Sequence, residues 1–351
     1  MKNKNKLSTI EALSEAQKLA FAPLTFQAVN SLLKLGVLKY LDKTPSSLNE
    51  LINSLNLTEY TLKTLLDIAL LTDIVELNEN KYRLTKKGLA FLYDEMTIAN
   101  FNFVNDVCYL GASELTDSFL NKKPEGLNKF IKKSDTIYPL LTELPDKIKK
   151  SWYEFDHLYS DNCFDEVFKI ISGEYKKIFD IGGNTGKFEK VCLKSNKNVD
   201  ITMLDLKENI DFAKDNKELT GCKFHKVNVL DSNPSYPSFF DSAILMSQFL
   251  DCFSKEQIKK ILGDLSKNMN QNSKIYILEP FTDNQNFEAA KYSLSHISLY
   301  FTCMANGVSK MYEQNEMLDL IKDSDLKPVK IHNNLGPFDY TLIEVQKDAM
   351  V

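Results

Sequence analysis

Apolar positions along this chain repeat with a helical period in its first part and then settle into short apolar runs separated by amphipathic stretches. Residues 8–42 read as helix, with Ala12, Leu13, Ala16, Leu19 and Ala20 followed by Phe26, Val29, Leu32, Leu33, Leu35 and Val37. Those positions are too many for a single stripe, so the helix is expected to be covered on two sides, one of them by a second copy of the chain. In residues 46–92, Ser46-Ser47-Leu48-Asn49-Glu50 starts a capped helix and Thr58-Glu59-Tyr60-Thr61 starts another, which ends near Thr72-Asp73. Ile74–Leu77 and Lys81–Leu84 then pair as a hairpin across Asn78-Glu79-Asn80. Residues 97–150 read as connecting helices interrupted at Asn121–Gly126.

From about residue 160 the pattern alternates strand and helix, with strands near 176–181, 199–205, 223–228, 241–247 and 273–279. The chain closes with Lys327–His332 and Tyr340–Gln346, separated by Asn333-Asn334-Leu335-Gly336-Pro337. That turn makes the last pair an antiparallel hairpin added to a parallel sheet. The expected architecture is therefore α/β. A helical, winged-helix-like domain over residues 1–150 precedes a Rossmann-like, seven-stranded sheet domain over 151–351.

A winged helix suggests DNA, and charge decides against it. The chain carries a net charge of -5, and Arg83 is its only arginine. The would-be recognition helix near 58–71 offers Glu59, Lys63 and Asp67 and is otherwise mostly apolar, where a DNA-reading helix needs exposed basic and amide groups. Six scattered cysteines without a C-x-x-C pair suit reduced thiols, and the dispersed His157, His225, His296 and His332 offer no metal cluster. The basic start Met1–Lys6 has no apolar region after it, and no apolar run approaches spanning length. A cytoplasmic protein without membrane or nucleic-acid partners is expected.

The chemistry concentrates in Lys177-Ile178-Phe179-Asp180-Ile181-Gly182-Gly183-Asn184-Thr185-Gly186, a buried strand running into a glycine-rich turn and an amphipathic helix. Such a turn brings bare N–H groups and a helix N-terminus against a ligand, while Asp180 offers an acceptor. The dinucleotide pattern G-x-G-x-x-G needs glycine at position 184, where Asn184 stands, and the P-loop pattern is missing. Asp205 ends the next strand about 20 residues past the glycines, placed to hold ribose hydroxyls. Asp231 ends a third element, Phe224–Asp231, within reach of an adenine edge.

Asp180-Ile181-Gly182-Gly183-Asn184-Thr185-Gly186, Asp205 and Asp231 resemble the S-adenosylmethionine (SAM) motifs of class I methyltransferases, and with the N-terminal module the whole chain resembles the small-molecule O-methyltransferases that carry a winged-helix-like dimerisation domain. The resemblance implies SAM as cofactor, a homodimer, and a small, aromatic or polyketide-like acceptor. Asp180, Gly182, Gly183 and Gly186 would shape the SAM pocket, Asp205 would hold the ribose, Asp231 would approach the adenine, and Ser160 would also touch the cofactor. Asn184 departs from the glycine of many relatives, and asparagine tolerates the left-handed conformation.

In relatives the base is a His in a segment resembling L-H-D-W-S-D-E, and here that segment is Phe249-Leu250-Asp251-Cys252-Phe253-Ser254-Lys255-Glu256. The His position falls on Asp251, which can act as base if an apolar site raises its pKa. Glu279 matches a supporting Glu, and His157, in the aromatic segment Trp152–Asp161, is the substitute base. The helix near 286–305, with Phe287, Tyr292, Leu294, His296, Tyr300, Phe301 and Met304, would line the acceptor pocket. Two alternatives stay open: methylation at carbon, and a non-catalytic SAM- or ligand-binding protein.

Overall fold

The computed structural model describes residues 7–131 and 134–348, which form two compact units, one running to Asn105 and the other starting at Asp106. In the first unit, helix Thr9–Lys34 opens with a reciprocal cap: Glu11 N donates to Ser8 Oγ and Ser8 N donates to Glu11 Oε2. The single helix expected over 8–42 is broken, because Gly36 adopts φ +74° and a second helix, Val37–Lys43, begins behind it. Helices Leu48–Leu55 and Glu59–Leu71 start at Ser47 and Thr58, where the sequence places the caps. Strands β1 (Val75–Asn78) and β2 (Lys81–Leu84) form the expected hairpin, with Glu79 and Asn80 both at positive φ in its two-residue turn. Leu32, Leu38, Leu51, Leu62 and Leu66 make the core of this unit.

Helix Thr9–Lys34 buries only Val29, Asn30 and Leu32, and leaves Ile10, Leu13, Leu19, Phe21 and Leu24 exposed. Among the described residues no single helix is long and apolar enough to cross a membrane; only Thr9–Lys34 and Val37–Lys43 taken together, bent by 59°, would pass by length and composition.

The second unit is a seven-stranded sheet flanked by helices. Its strands are β3 (Lys177–Ile181), β4 (Asp200–Asp205), β5 (Lys223–Lys226), β6 (Ala243–Ser247), β7 (Lys274–Glu279), β8 (Leu326–Leu335) and β9 (Tyr340–Lys347). Their order is β5-β4-β3-β6-β7-β9-β8, with β9 alone running against the others and so pairing antiparallel with both β7 and β8. This is the α/β sheet anticipated from the strand periodicity, closing hairpin included. Near-continuous apolar strands such as Ala243–Met246 and Ile275–Leu278 are buried on both faces, as a parallel sheet covered by helices requires.

The chain leaves β3 toward β4 and β5, then returns to β6 on the other side. Crevices outside the carboxyl ends of strands at such a switch point are where open α/β sheets take ligands. Register brings Ile181, Leu204 and Met246 level there. The region before the sheet differs from the expected run of connecting helices. Between helices Leu115–Asn121 and Asp146–Ser160 it is built of short 3-10 turns, Glu125–Lys129 and Tyr138–Glu143, with Pro124, Pro139 and Pro145 limiting helix growth.

Candidate active site

β3 ends by carrying Asp180, 3% exposed, to the switch point. The turn that follows is built around its lack of side chains. Gly182 has φ +84°, its N–H bonds Leu204 O at 2.8 Å, and a Cβ there would stand 2.3 Å from the Phe249 ring. Asn184 also takes a left-handed conformation, φ +51°, so the departure from glycine is tolerated as anticipated. Its backbone N–H donates to Asp205 Oδ2 at 2.9 Å, and its side-chain amide donates to Asp156 Oδ2 at 3.0 Å. The amide thereby fastens the glycine turn to helix Asp146–Ser160.

Asp205, the last residue of β4, also accepts from Leu206 N at 2.6 Å and Asn209 Nδ2 at 2.9 Å. Burial raises its pKa against these bonds. His157 stacks on Tyr153 and sits with Nε2 3.5 Å from Thr185 Oγ1 and Nδ1 3.6 Å from Asp161 Oδ1. Ser160 closes the same helix, and its side chain lies outside the described residues.

Asp231 is misplaced by the sequence reading. β5 ends at Lys226, and Asp231 follows on an exposed turn outside the cavity lining. Val227 to Leu230 line the cavity instead, with Asn228 Oδ1 accepting from Leu230 N at 3.0 Å. The apolar Val227 and Val229 disguised where the strand stopped.

Beyond β6 the chain makes a short turn, Leu250–Cys252, that buries Asp251 to 4% exposure. Burial first, and the charge of Asp156 second, push the Asp251 carboxyl up to about 7. Cys252 Sγ donates to its Oδ1 at 3.4 Å. Glu279, at the end of β7, stands behind this turn and does not line the cavity. Its Oε1 accepts from Phe249 N at 3.2 Å and Leu250 N at 2.9 Å, so it fixes the backbone that presents Asp251. Burial and the neighbouring Asp251 charge hold the Glu279 carboxyl well above its usual range.

Asp180, Gly182, Gly183, Asp205, His157 and Asp251 all border one cavity of about 600 Å³, in the range of small-molecule sites. One side is an apolar, aromatic wall of Tyr138, Trp152, Phe155, Tyr300 and Phe301. The helix expected over 286–305 contributes Ile297, Tyr300 and Phe301, while Phe287 and Tyr292 face outward.

Sequence reasoning missed Tyr138 and the work of Asn306. Asn306 Nδ2 reaches Tyr138 OH at 3.1 Å, Cys252 O at 3.1 Å and Ser309 Oγ at 2.8 Å, joining three segments far apart in the chain. Only a turn signal, Asn306-Gly307, marks that place in the sequence. The cavity's ionisable lining is mainly acidic, with Asp135, Asp156, Asp161, Asp180, Asp205 and Asp251 against Lys122, Lys123 and Lys187. Lys187 is spent on Asp161 at 3.2 Å. Such a lining suits a cationic ligand and opposes a phosphate-bearing one.

Comparison with known proteins agrees with this geometry. Residues 14–82 match the model of the Dimerisation2-like domain, and residues 154–323 match that of the O-methyltransferase domain. The chain is similar to O-methyltransferase 7 of Dictyostelium discoideum, 20% identical over 317 residues, 90% of this chain and 89% of that protein. In fold it is similar to the S-adenosylmethionine-dependent methyltransferase SibL, with a TM-score of 0.72, 16% identity and coverage of 95% and 99% of the two chains. Human N-acetylserotonin methyltransferase, solved in complex with SAM, gives a TM-score of 0.64 at 14% identity over 99% of each chain.

Proposed function

We propose that this chain, which belongs to the SAM-dependent O-methyltransferases and joins a Dimerisation2-like domain to an O-methyltransferase domain, methylates a hydroxyl of a small, flat, apolar acceptor. The observation that carries the acceptor half of this reading is Asp251, a buried carboxyl facing an aromatic wall in the cavity that also holds the glycine turn.

The acidic lining fits SAM, whose sulfonium and amino groups are cationic, better than a nucleotide phosphate. When bound, SAM supplies an electrophilic methyl group. Gly182 and Gly183 would leave the backbone open to it, Gly186, packed on Leu219, would shape the turn from behind, Asp180 and Asp205 would hold its polar ends, Asn228 would take the adenine side, and Ser160 would add a further contact. Asp251 would accept the acceptor hydroxyl's proton, Glu279 would keep the Asp251 turn in place, and His157 is the reserve base. The aromatic side chains would hold the acceptor in line and keep water out.

Calorimetric titration with SAM tests the cofactor half. Micromolar binding is expected, weakened at least about tenfold in Asp205→Ala, which strands three donors now satisfied by one carboxylate. No binding by the wild-type protein would sink it.

We also place a homodimer interface on the exposed face of helix Thr9–Lys34, where Ile10, Leu13, Leu19 and Leu24 are each at least 60% exposed. Sedimentation should give a dimer for the wild type and a folded monomer for Leu19→Lys combined with Leu24→Lys; a wild-type monomer at tens of micromolar would remove the interface. A cytoplasmic setting belongs to the same proposal, supported by six cysteines that form no disulfide among the described residues.

A further inference from the structure

Glu189 has no part in the chemistry described so far, yet its placement is unusual. It lies in the first turn of helix Lys187–Ser195, directly behind the glycine turn, and is fully buried. Neither of its oxygens meets an N–H or O–H donor of another residue among the described residues. Burying an anion in that state is strongly unfavourable.

The group it faces is Asp180. A Cβ at Gly183 would stand 2.7 Å from Glu189 Oε1 and 3.1 Å from Asp180 Oδ2, so the two carboxyls converge behind one backbone atom. At that separation each acts strongly on the other. Two ionised carboxylates buried this close repel and can only accept hydrogen bonds, so a proton on one of the two is favoured.

The other titratable groups acting on the pair are Asp205 at the end of β4, Cys192 along the same helix and Cys222 before β5. None of these supplies positive charge. Burial foremost raises both carboxyls, Asp180 to about 7 and Glu189 well above its ordinary value, with the Asp180 charge adding to the latter. Pairs of carboxyls packed this closely titrate as a unit.

We propose that Asp180 and Glu189 share one proton beneath the glycine turn and give it up when a cationic cofactor fills that turn, which makes Glu189 a positioning residue of the cofactor site. This rests on SAM being the ligand. Positive charge beside Asp180 favours the fully ionised pair, so the protonated form binds more weakly. Affinity should therefore be highest above the pair's free-state titration and fall as pH drops through it.

The test is calorimetry of SAM binding to the wild type and to Glu189→Gln at about pH 6.5, in buffers of different protonation enthalpy. Glutamine can still donate to Asp180 but has no proton to release. The cofactor's own amino group and Asp205 titrate in both proteins, so the difference between them is the quantity measured. The wild type should release more protons than the variant, by roughly one per SAM bound. Equal release would overturn the proposal.

Should Glu189→Gln fail to fold, the wild-type Kd decides. It should weaken by up to about tenfold per pH unit below about 7, and a flat profile overturns the shared proton. Binding without excess proton release sinks this proposal alone, whereas no SAM binding under any condition sinks the cofactor assignment as well.

Discussion

Replacing Asp251 by Asn is expected to lower kcat by about 10²–10⁴-fold, the range for loss of a positioned base, while leaving the SAM Kd within a few-fold. The substitution keeps the shape of the side chain and removes only its ability to take a proton. The turn should hold, because Glu279 grips it through Phe249 N and Leu250 N rather than through the Asp251 side chain. The carboxylate is the active form, so wild-type kcat/KM for the acceptor, measured at saturating SAM, should rise with pH through a value near 7 and level off above it, burial being the main cause of that raised value. The variant should lose this limb. A kcat within threefold of wild type would exclude Asp251 as the base and move attention to His157, whose Gln variant is otherwise expected to keep most of its activity.

The second large effect belongs to Gly182→Ala. The new methyl group would need φ +84° and would stand 2.3 Å from Phe249 Cδ2. The backbone cost of about 1–2 kcal/mol and an overpacking cost of about 1–3 kcal/mol together give a loss of roughly 2–5 kcal/mol. The consequence reaches beyond stability. Phe249 precedes the Leu250–Cys252 turn, so displacing its ring moves Asp251 as well as the cofactor cradle. SAM affinity and kcat should both fall, a pairing that a simple loss of folded protein would not give. Gly263 is the control: it sits in helix Lys255–Asn268 with nothing within 4 Å of an added Cβ, so alanine there should raise stability by about 0.5–1 kcal/mol. Urea unfolding with parallel SAM titrations checks all three proteins, and a Gly182→Ala midpoint equal to wild type would refute the expected clash.

Local signals carried much of this molecule into view. Capping residues Ser47 and Thr58, the Asn78–Asn80 turn and the strand periodicity each depend on neighbours in the chain, and the observed elements begin and end close to where those signals lie. Gly36 broke a helix because one left-handed residue outweighs a continuous apolar pattern. The Asp180 and Asp205 strand ends were legible because register in a parallel sheet brings carboxyl ends together, whereas Asp251, four residues past the end of β6, was singled out by the family resemblance. Asp231 was not, since Val227 and Val229 prolong an apolar pattern past the point where pairing stops. Glu189 was hidden for a different reason. A Glu in the first turn of a helix reads as ordinary dipole stabilisation, and only the fold shows that this one points inward against Asp180. Nor could any local pattern reveal that Asn306 ties Tyr138 to Cys252.

The order of the sheet also dictates when this protein can become active during synthesis. β9 is the last strand to be made, yet it lies between β7 and β8, and its Tyr340 hydroxyl holds Gln248 Nε2 at 3.0 Å beside the switch point. A nascent chain that has emerged only as far as β8 has an unpaired β7 edge and lacks one of the anchors of the turn after β6. Ribosome-bound chains should therefore carry a folded first unit well before they can bind cofactor, and the second unit should gain its site in one late step, when β9 slots into the gap.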